Sequence, residues 1–259
     1  MLAARHWLCP ALLALAAALT SPAFPRETHP EPGPPFERVL DIETSARLLA
    51  VLLVSGRAVI NENPEAFDPA VAEGRANSFD GFEQQLLETF RLRSGVDLRD
   101  LETARIPQES KRWLPIMVAV SKQVIEDFRR QGGLAPADFN ALIPATFGSR
   151  VAVRFTALTG VRLKQTSLAP RNPANAPDAF ERATLEAFAD PAHPREQAIS
   201  EVTTKTRALR LMYPLYTTRQ CLACHGSPKG ELDKTGYPRE GLQLGQNAGA
   251  ISVVIPLDK

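Results

Sequence analysis

Cysteine and histidine are scarce in this chain, with three of the first and four of the second in 259 residues. An excess of charge of either sign is also missing: 30 Lys and Arg stand against 29 Asp and Glu. Without a strong basic field, neither a nucleic acid nor an anionic membrane surface is indicated as a partner. Long hydrophobic runs are lacking too. The most apolar stretch, from Trp7 to about Leu19, falls short of the ~20 residues needed to span a bilayer, so no stable membrane anchor is expected.

That short run has a different meaning in its context. Arg5 and His6 precede it, and Ser21 and Ala23 follow as small residues at the −3 and −1 positions of a cleavage site. This is the three-part pattern of a secretory signal peptide, which predicts removal of residues 1–23 and a periplasmic location. Cys9 opens the apolar run without the small-residue context of a lipidated cysteine, and should leave with the signal.

The mature chain then holds two cysteines, Cys221 and Cys224, in "RQCLACHGSPKG", with His225 directly after the second. Three chemistries use this spacing: a redox dithiol, half of a zinc site, or a covalently attached haem. A structural zinc site takes about four Cys or His ligands, and beyond the motif only His29 and His193 remain, in no second cluster. A thioredoxin-like dithiol belongs at the start of a helix in a βαβ unit, whereas this motif is late in the chain and followed by Gly226. A disulfide within the loop is the plain alternative. The haem reading accounts for each residue: two thiols add to the two vinyl groups along one porphyrin edge, and the adjacent imidazole binds the iron. One covalent c-type haem is therefore expected, and its attachment on the exported side of the membrane agrees with the signal peptide.

From Pro22 to Phe36, "PAFPRETHPEPGPPF" is too proline-rich to fold regularly, and residues 24–35 read as an extended linker containing a solvated His29. Residues 36–133 read as helical. Val39, Ile42, Ala46, Leu49 and Leu53 form one stripe of a first helix to about Ile60; Gly81–Gly95 reads as a second. A third begins with Pro115 in its first turn, carries Met117, Val120, Val124 and Phe128 on one face and stops at Gly132. A fourth runs from Pro144 to Leu158 and closes at Gly160. The period then shortens: Val161–Thr166, Leu209–Tyr216 and Gly249–Leu257 read as strands, with Pro214 marking a sheet edge or bulge. Between the first two, Asp178 and Glu181 form a capping box for a short helix ended by Asp190 and Pro191. The fold class is α+β.

"RNPANAPD" joined to a later "CLACHG" and a terminal "GAISV" resembles the single-haem c-type cytochromes with a PAS-like fold, also found as extracytoplasmic sensor regions of histidine kinases and chemoreceptors. The resemblance covers about Leu134 to Leu257, so that residues 134–259 form the haem domain, and extends more loosely to the helices before it. It implies N-terminal helices followed by a PAS-like antiparallel sheet, with the haem between them. Cys221 and Cys224 become thioether anchors and His225 the proximal iron ligand. It places the "RNPANAPD" loop beside the haem, where Arg171 suits a haem propionate; an internal salt bridge holding the loop is the alternative. Many members carry a cysteine in the helix before the first strand, where this chain has Ala145. The distal position is then open, filled by water, or taken by Met212, Met117, His193, a lysine or a tyrosine. For Met212 the rival reading is a core methionine, and for His193 a solvated loop residue.

Two functions follow. One is single-electron transfer with a redox partner protein. The other is a haem-based redox or gas sensor that binds a diatomic ligand and signals through a partner. With no kinase or membrane segment after the last strand, electron transfer is the first expectation. Peroxidase-like chemistry lacks a recognisable distal His and Arg pair, which points away from an enzyme. The intact mass of exported protein checks the export reading: the product starts at Phe24, lacks Cys9 and is heavier by one haem.

Overall fold

A computed structural model describes residues 35–67, 81–130, 142–203 and 205–258. The signal peptide, most of the linker with His29, and the stop at Gly132 lie outside the described residues. Four helices come first: α1 (Phe36–Glu62), α2 (Phe82–Ser94), α3 (Gln108–Arg130) and α4 (Pro144–Thr159). They are followed by β1 (Arg162–Thr166), α5 (Ala179–Ala189), β2 (Ile199–Thr203), β3 (Ala208–Tyr216), a single helical turn at Leu222–His225, and β4 (Asn247–Pro256). The expected α+β order, helices and then an antiparallel sheet, is what the structure has.

α1 is the axis of the core. Its stripe of Ile42, Ala46, Leu49 and Leu53 is buried as expected, but so are Leu48, Ala50, Val51 and Leu52. The helix is covered on more than one side because it packs against α2, α3, α4 and both central strands. Each fully buried Leu is worth ~1.5–3 kcal/mol. Packing rather than capping therefore holds α1, whose Pro35 N-cap offers no side-chain hydrogen bond. Two serines enter this core with their hydroxyls satisfied: Ser45 donates to the Asp41 carbonyl and Ser55 to that of Val51, each at 2.8 Å.

α3 departs from its expected start. It begins at Gln108, so Pro115 lies inside the helix and not in its first turn. Proline there removes one backbone bond and strains the preceding turn. Burial of Ser110, Trp113 and Leu114 on the core side of that turn offsets the loss. α4 follows its sequence closely, with Pro144 at its start and Gly160 in the left-handed conformation (φ 75°) closing it.

The sheet is antiparallel throughout, in the order β1-β4-β3-β2. Strand alternation divides its faces. Leu209, Leu211 and Tyr213 of β3, with Ile251, Val253 and Ile255 of β4, join the core of the N-terminal helices. Met212 and Ala250 face the other way and pack with Leu185 and Phe188 of α5. β2 was not legible in the sequence. It is an edge strand of intermediate and exposed residues, so it carries no apolar alternation. It pairs with β3 only as far as Met212, leaving Pro214 where β2 no longer runs, one residue before an irregularity at Leu215 and Tyr216. That is the edge or bulge position expected of it.

α5 is pinned to the outer face by the predicted capping box. The Asp178 carboxylate accepts the Glu181 N–H and Glu181 accepts the Asp178 N–H, each at 3.0 Å. Buried Glu181 also takes Lys164 of β1 at 2.6 Å, while Arg210 of β3 donates to Asp178 at 2.6 Å and covers the Phe180 ring. Asp178→Ala should cost about 1–2 kcal/mol in urea unfolding, with Asp178→Asn retaining most of the stability.

Candidate functional site

Between Tyr216 and Asn247 the chain leaves the sheet and returns, and the Cys221–His225 turn lies in this excursion. Its neck is tied by Thr217, which donates its N–H to the Gln246 carbonyl and its hydroxyl to that of Gln243. The turn closes with His225 N–H on the Cys221 carbonyl and Gly226 N–H on that of Leu222, both 2.9 Å. A side chain at position 226 would place Cβ 2.5 Å from the Leu222 carbonyl oxygen, so only glycine allows the chain to leave here. Cys221 and Cys224 are unbridged and half-buried. Burial first, then the nearby Asp233 carboxylate, pushes the Cys224 thiol up.

The half-buried His225 ring is held from one side. Its Nδ1 lies 2.8 Å from Glu240 Oε2, and Nε2 makes no hydrogen bond among the described residues. A carboxylate only accepts, so Nδ1 is the donor, and in the neutral ring the lone pair is then on Nε2. Glu240 is in turn gripped by Arg171, through Nε to Oε1 at 2.7 Å and Nη2 to Oε2 at 3.0 Å. The same guanidinium donates to Asp233 at 2.6 Å and to the Cys224 carbonyl at 2.9 Å, and lies over the Tyr237 ring.

These contacts set the charges. Burial alone would raise the Asp233 carboxyl; hydrogen bonds from the Thr235 hydroxyl, Arg171, and the Thr235 and Tyr237 N–H groups outweigh it and hold the group down at about 2. Glu240 is likewise lowered, its burial offset by Arg171 and then His225. For Arg171, burial works against the cation, but Glu240 and Asp233 raise it above its ordinary value. Arg171 is therefore spent on the internal salt bridges that form the alternative to a propionate contact.

The other side of the turn faces α1. Asn61 donates to the Thr218 hydroxyl at 3.2 Å, and that hydroxyl lies 3.3 Å from the Cys221 sulfur. Arg57, one helical turn earlier, donates to the Pro144 carbonyl at 3.1 Å. Burial pulls its pKa down to about 10, and the Cys221 sulfur acts in the opposite direction. No carboxylate pairs with Arg57 among the described residues. Arg57 thus ties α1 to the residue before Ala145. The Ala145 carbonyl accepts a hydrogen bond from Gln165 at 2.8 Å.

The remaining ligand candidates sit elsewhere. Met212 is fully buried in the α5 layer, on the sheet face opposite the one that meets α1, and Met117 is fully buried in α3. His193 is not freely solvated: its ring packs on Phe188 with centroids 5.0 Å apart, and Nε2 bonds the Gln197 carbonyl at 2.9 Å. Among the described residues no group of three or more Cys, His, Asp or Glu is placed to hold a metal ion.

A family profile described as Tll0287-like matches residues 99–256, well over half of the chain. The chain belongs to the Tll0287-like family. Among solved structures it is similar to the crystal structure of the cyanobacterial haem protein Tll0287, at 22% identity and a TM-score of 0.41, over 57% of this chain and 96% of that one. No curated protein matches it. The Tll0287-like match spans Arg171, the Cys221–His225 turn, Asp233 and Glu240, whereas Arg57 and Asn61 precede it.

Glu240, Asp233 and Arg57 were not singled out in the sequence. The first two lie in a polar loop that carries no periodicity, and Arg57 is one basic residue on an apolar helix. No helix among the described residues is long and apolar enough to cross a membrane.

The depressed Asp233 carboxyl has a definite pH signature. Because its folded pKa lies below the ordinary 3.8, its stabilisation is present above pH ~4 and lost as pH falls from there towards 2. Proteolysis of the 226–246 loop should accelerate across that window. Asp233→Asn should loosen the loop already at pH 7, at a cost of about 1.5–3 kcal/mol, and flatten the acid dependence.

Proposed function

We propose that this chain is an exported single-haem c-type protein that carries one electron at a time. The observation that carries this reading is the donor set on one turn: two unbridged thiols and an imidazole whose Nδ1 is engaged by Glu240 while Nε2 is left free. These residues fit the group. Cys221 and Cys224 provide the thioether anchors, His225 Nε2 the axial ligand, and Arg57 a cation on the α1 side of the turn. When bound, a c-type haem supplies one-electron exchange at its iron.

The protein's own contribution is orientation and rigidity. The Thr217 bonds hold the neck of the loop, Arg171 fixes the Cys224 carbonyl and Glu240, and Leu242 N–H bonds the His225 carbonyl at 2.8 Å. A ligand turn held at so many points changes little when an electron arrives, which suits fast transfer. Membership of a family with a haem protein among its relatives supports the cofactor, and the signal-peptide pattern supports the periplasm.

A sensor reading has a specific observation of its own. The turn is tied to α1 through Asn61, and α1 is the helix against which the others pack. A ligand-dependent shift at the turn would reach that helix directly. Ala145 stands where many members of the cytochrome family resembled have a cysteine, and both mature cysteines belong to the motif. No thiolate is then left to act as sixth ligand.

Haem staining of a denaturing gel tests the cofactor: wild type stains, the Cys221→Ser and Cys224→Ser double variant does not, and haem freely extracted from wild type by acidified organic solvent would refute covalent attachment. Carbon monoxide then separates the two roles. Binding to the reduced protein, suppressed in Ala145→Cys, selects the sensor. Inertness of the reduced wild type selects electron transfer.

A further inference from the structure

Taking the site as a haem anchor, we propose that Glu240 is the positioning residue of the axial histidine: its carboxylate accepts the Nδ1 proton of His225, leaves Nε2 as the iron donor, and sets a low reduction potential, while Arg171 clamps the carboxylate in place.

The contact has the marks of a built arrangement. Nδ1 and Oε2 are 2.8 Å apart, and both carboxylate oxygens are taken by Arg171, at 2.7 and 3.0 Å, so the group cannot rotate away from the ring. Arg171 also holds the Cys224 carbonyl, in the peptide that leads into His225, at 2.9 Å. The clamp thus grips the backbone beside the histidine and the acceptor of its ring proton. Asp233, buried and 2.6 Å from Nη1, holds the guanidinium from the far side. Leu242, two residues after Glu240, donates to the His225 carbonyl at 2.8 Å and ties the two segments together a second time. Two mobile surface side chains meeting by chance would have none of this support.

The chemical consequence follows from ligand basicity. An imidazole whose Nδ1–H is bonded to a carboxylate donates more electron density through Nε2 than one bonded to water or a carbonyl. More donation stabilises the oxidised iron over the reduced. On reduction one electron passes from the external reductant to the iron, the Nδ1 proton stays on His225 and no bond is broken. The cluster of Asp233, Glu240 and Arg171 carries a net charge of −1 beside the ligand, which opposes the incoming electron in the same sense.

The test is redox titration of the haem-loaded protein, with dithionite as reductant, for wild type, Glu240→Gln and Glu240→Ala. Glutamine keeps an acceptor for Nδ1–H and loses the charge; alanine loses both. The Glu240→Gln midpoint should move positive by at least tenfold in the one-electron equilibrium, about 59 mV, with a lower iron–histidine stretching frequency. Glu240→Asp, which restores the carboxylate, should recover part of both. If Glu240→Gln matures with full haem and shows the wild-type potential and frequency, the proposal is wrong. If Glu240→Gln does not mature, Glu240→Asp carries the test: drawing the carboxylate back from Nδ1 must move the potential positive and lower the stretching frequency, and unchanged values overturn the proposal. A wild type without haem refutes the cofactor instead, and gel staining before titration distinguishes the two failures.

Discussion

The guanidinium of Arg171 is where the second half of this molecule is joined. The chain between β3 and β4 contains one helical turn, and its segments are joined by bonds such as Gly230 N–H to the Arg239 carbonyl and Leu242 N–H to that of His225. A loop of this length in a folded domain is generally a functional one, and it needs an external brace to hold a fixed shape. Arg171 supplies it from the segment between β1 and α5, reaching Asp233, Glu240 and the Cys224 carbonyl at once. A lysine could hold one of these partners as a point charge; the planar fork holds all three in fixed directions. The position of the His225 ring depends on that fork, and so does the use of its free nitrogen.

The sequence was most legible where periodicity and local chemistry act alone. The helices at residues 36–62, 82–94 and 144–159 follow their apolar spacing, the Asp178 and Glu181 box forms as read, and Gly160 ends α4. It was misleading where tertiary packing overruled a local rule. Pro115 reads as a helix start because proline is favoured there, but burial of Trp113 and Leu114 extends the helix through it. β2 was missed because an edge strand of polar and half-exposed residues has no alternation to read.

At the site, the motif itself was legible because its spacing is a chemical constraint. Its supports were not. Glu240 lies 15 residues from His225 and Arg171 is 69 residues from Glu240, so their meeting depends on the loop's return path and on the β1–α5 connection. Arg171 was recognised as a fork in search of a carboxylate. The structure provides two such carboxylates within the chain, both from the loop that carries the motif.

The charges around the turn are unequally distributed. On the Glu240 side, one guanidinium faces two carboxylates, and both carboxyls are held below their ordinary values. On the α1 side, Arg57 has a carbonyl and a sulfur as neighbours and no carboxylate among the described residues. The half-buried Arg57 has no anion among the described residues to offset its desolvation, whereas the net negative cluster is multiply hydrogen-bonded. An anionic group seated by the Cys221 turn would lower the cost at Arg57 without disturbing the Arg171 clamp. The two cations near the turn therefore differ: Arg171 is committed to two carboxylates, and Arg57 to none among the described residues.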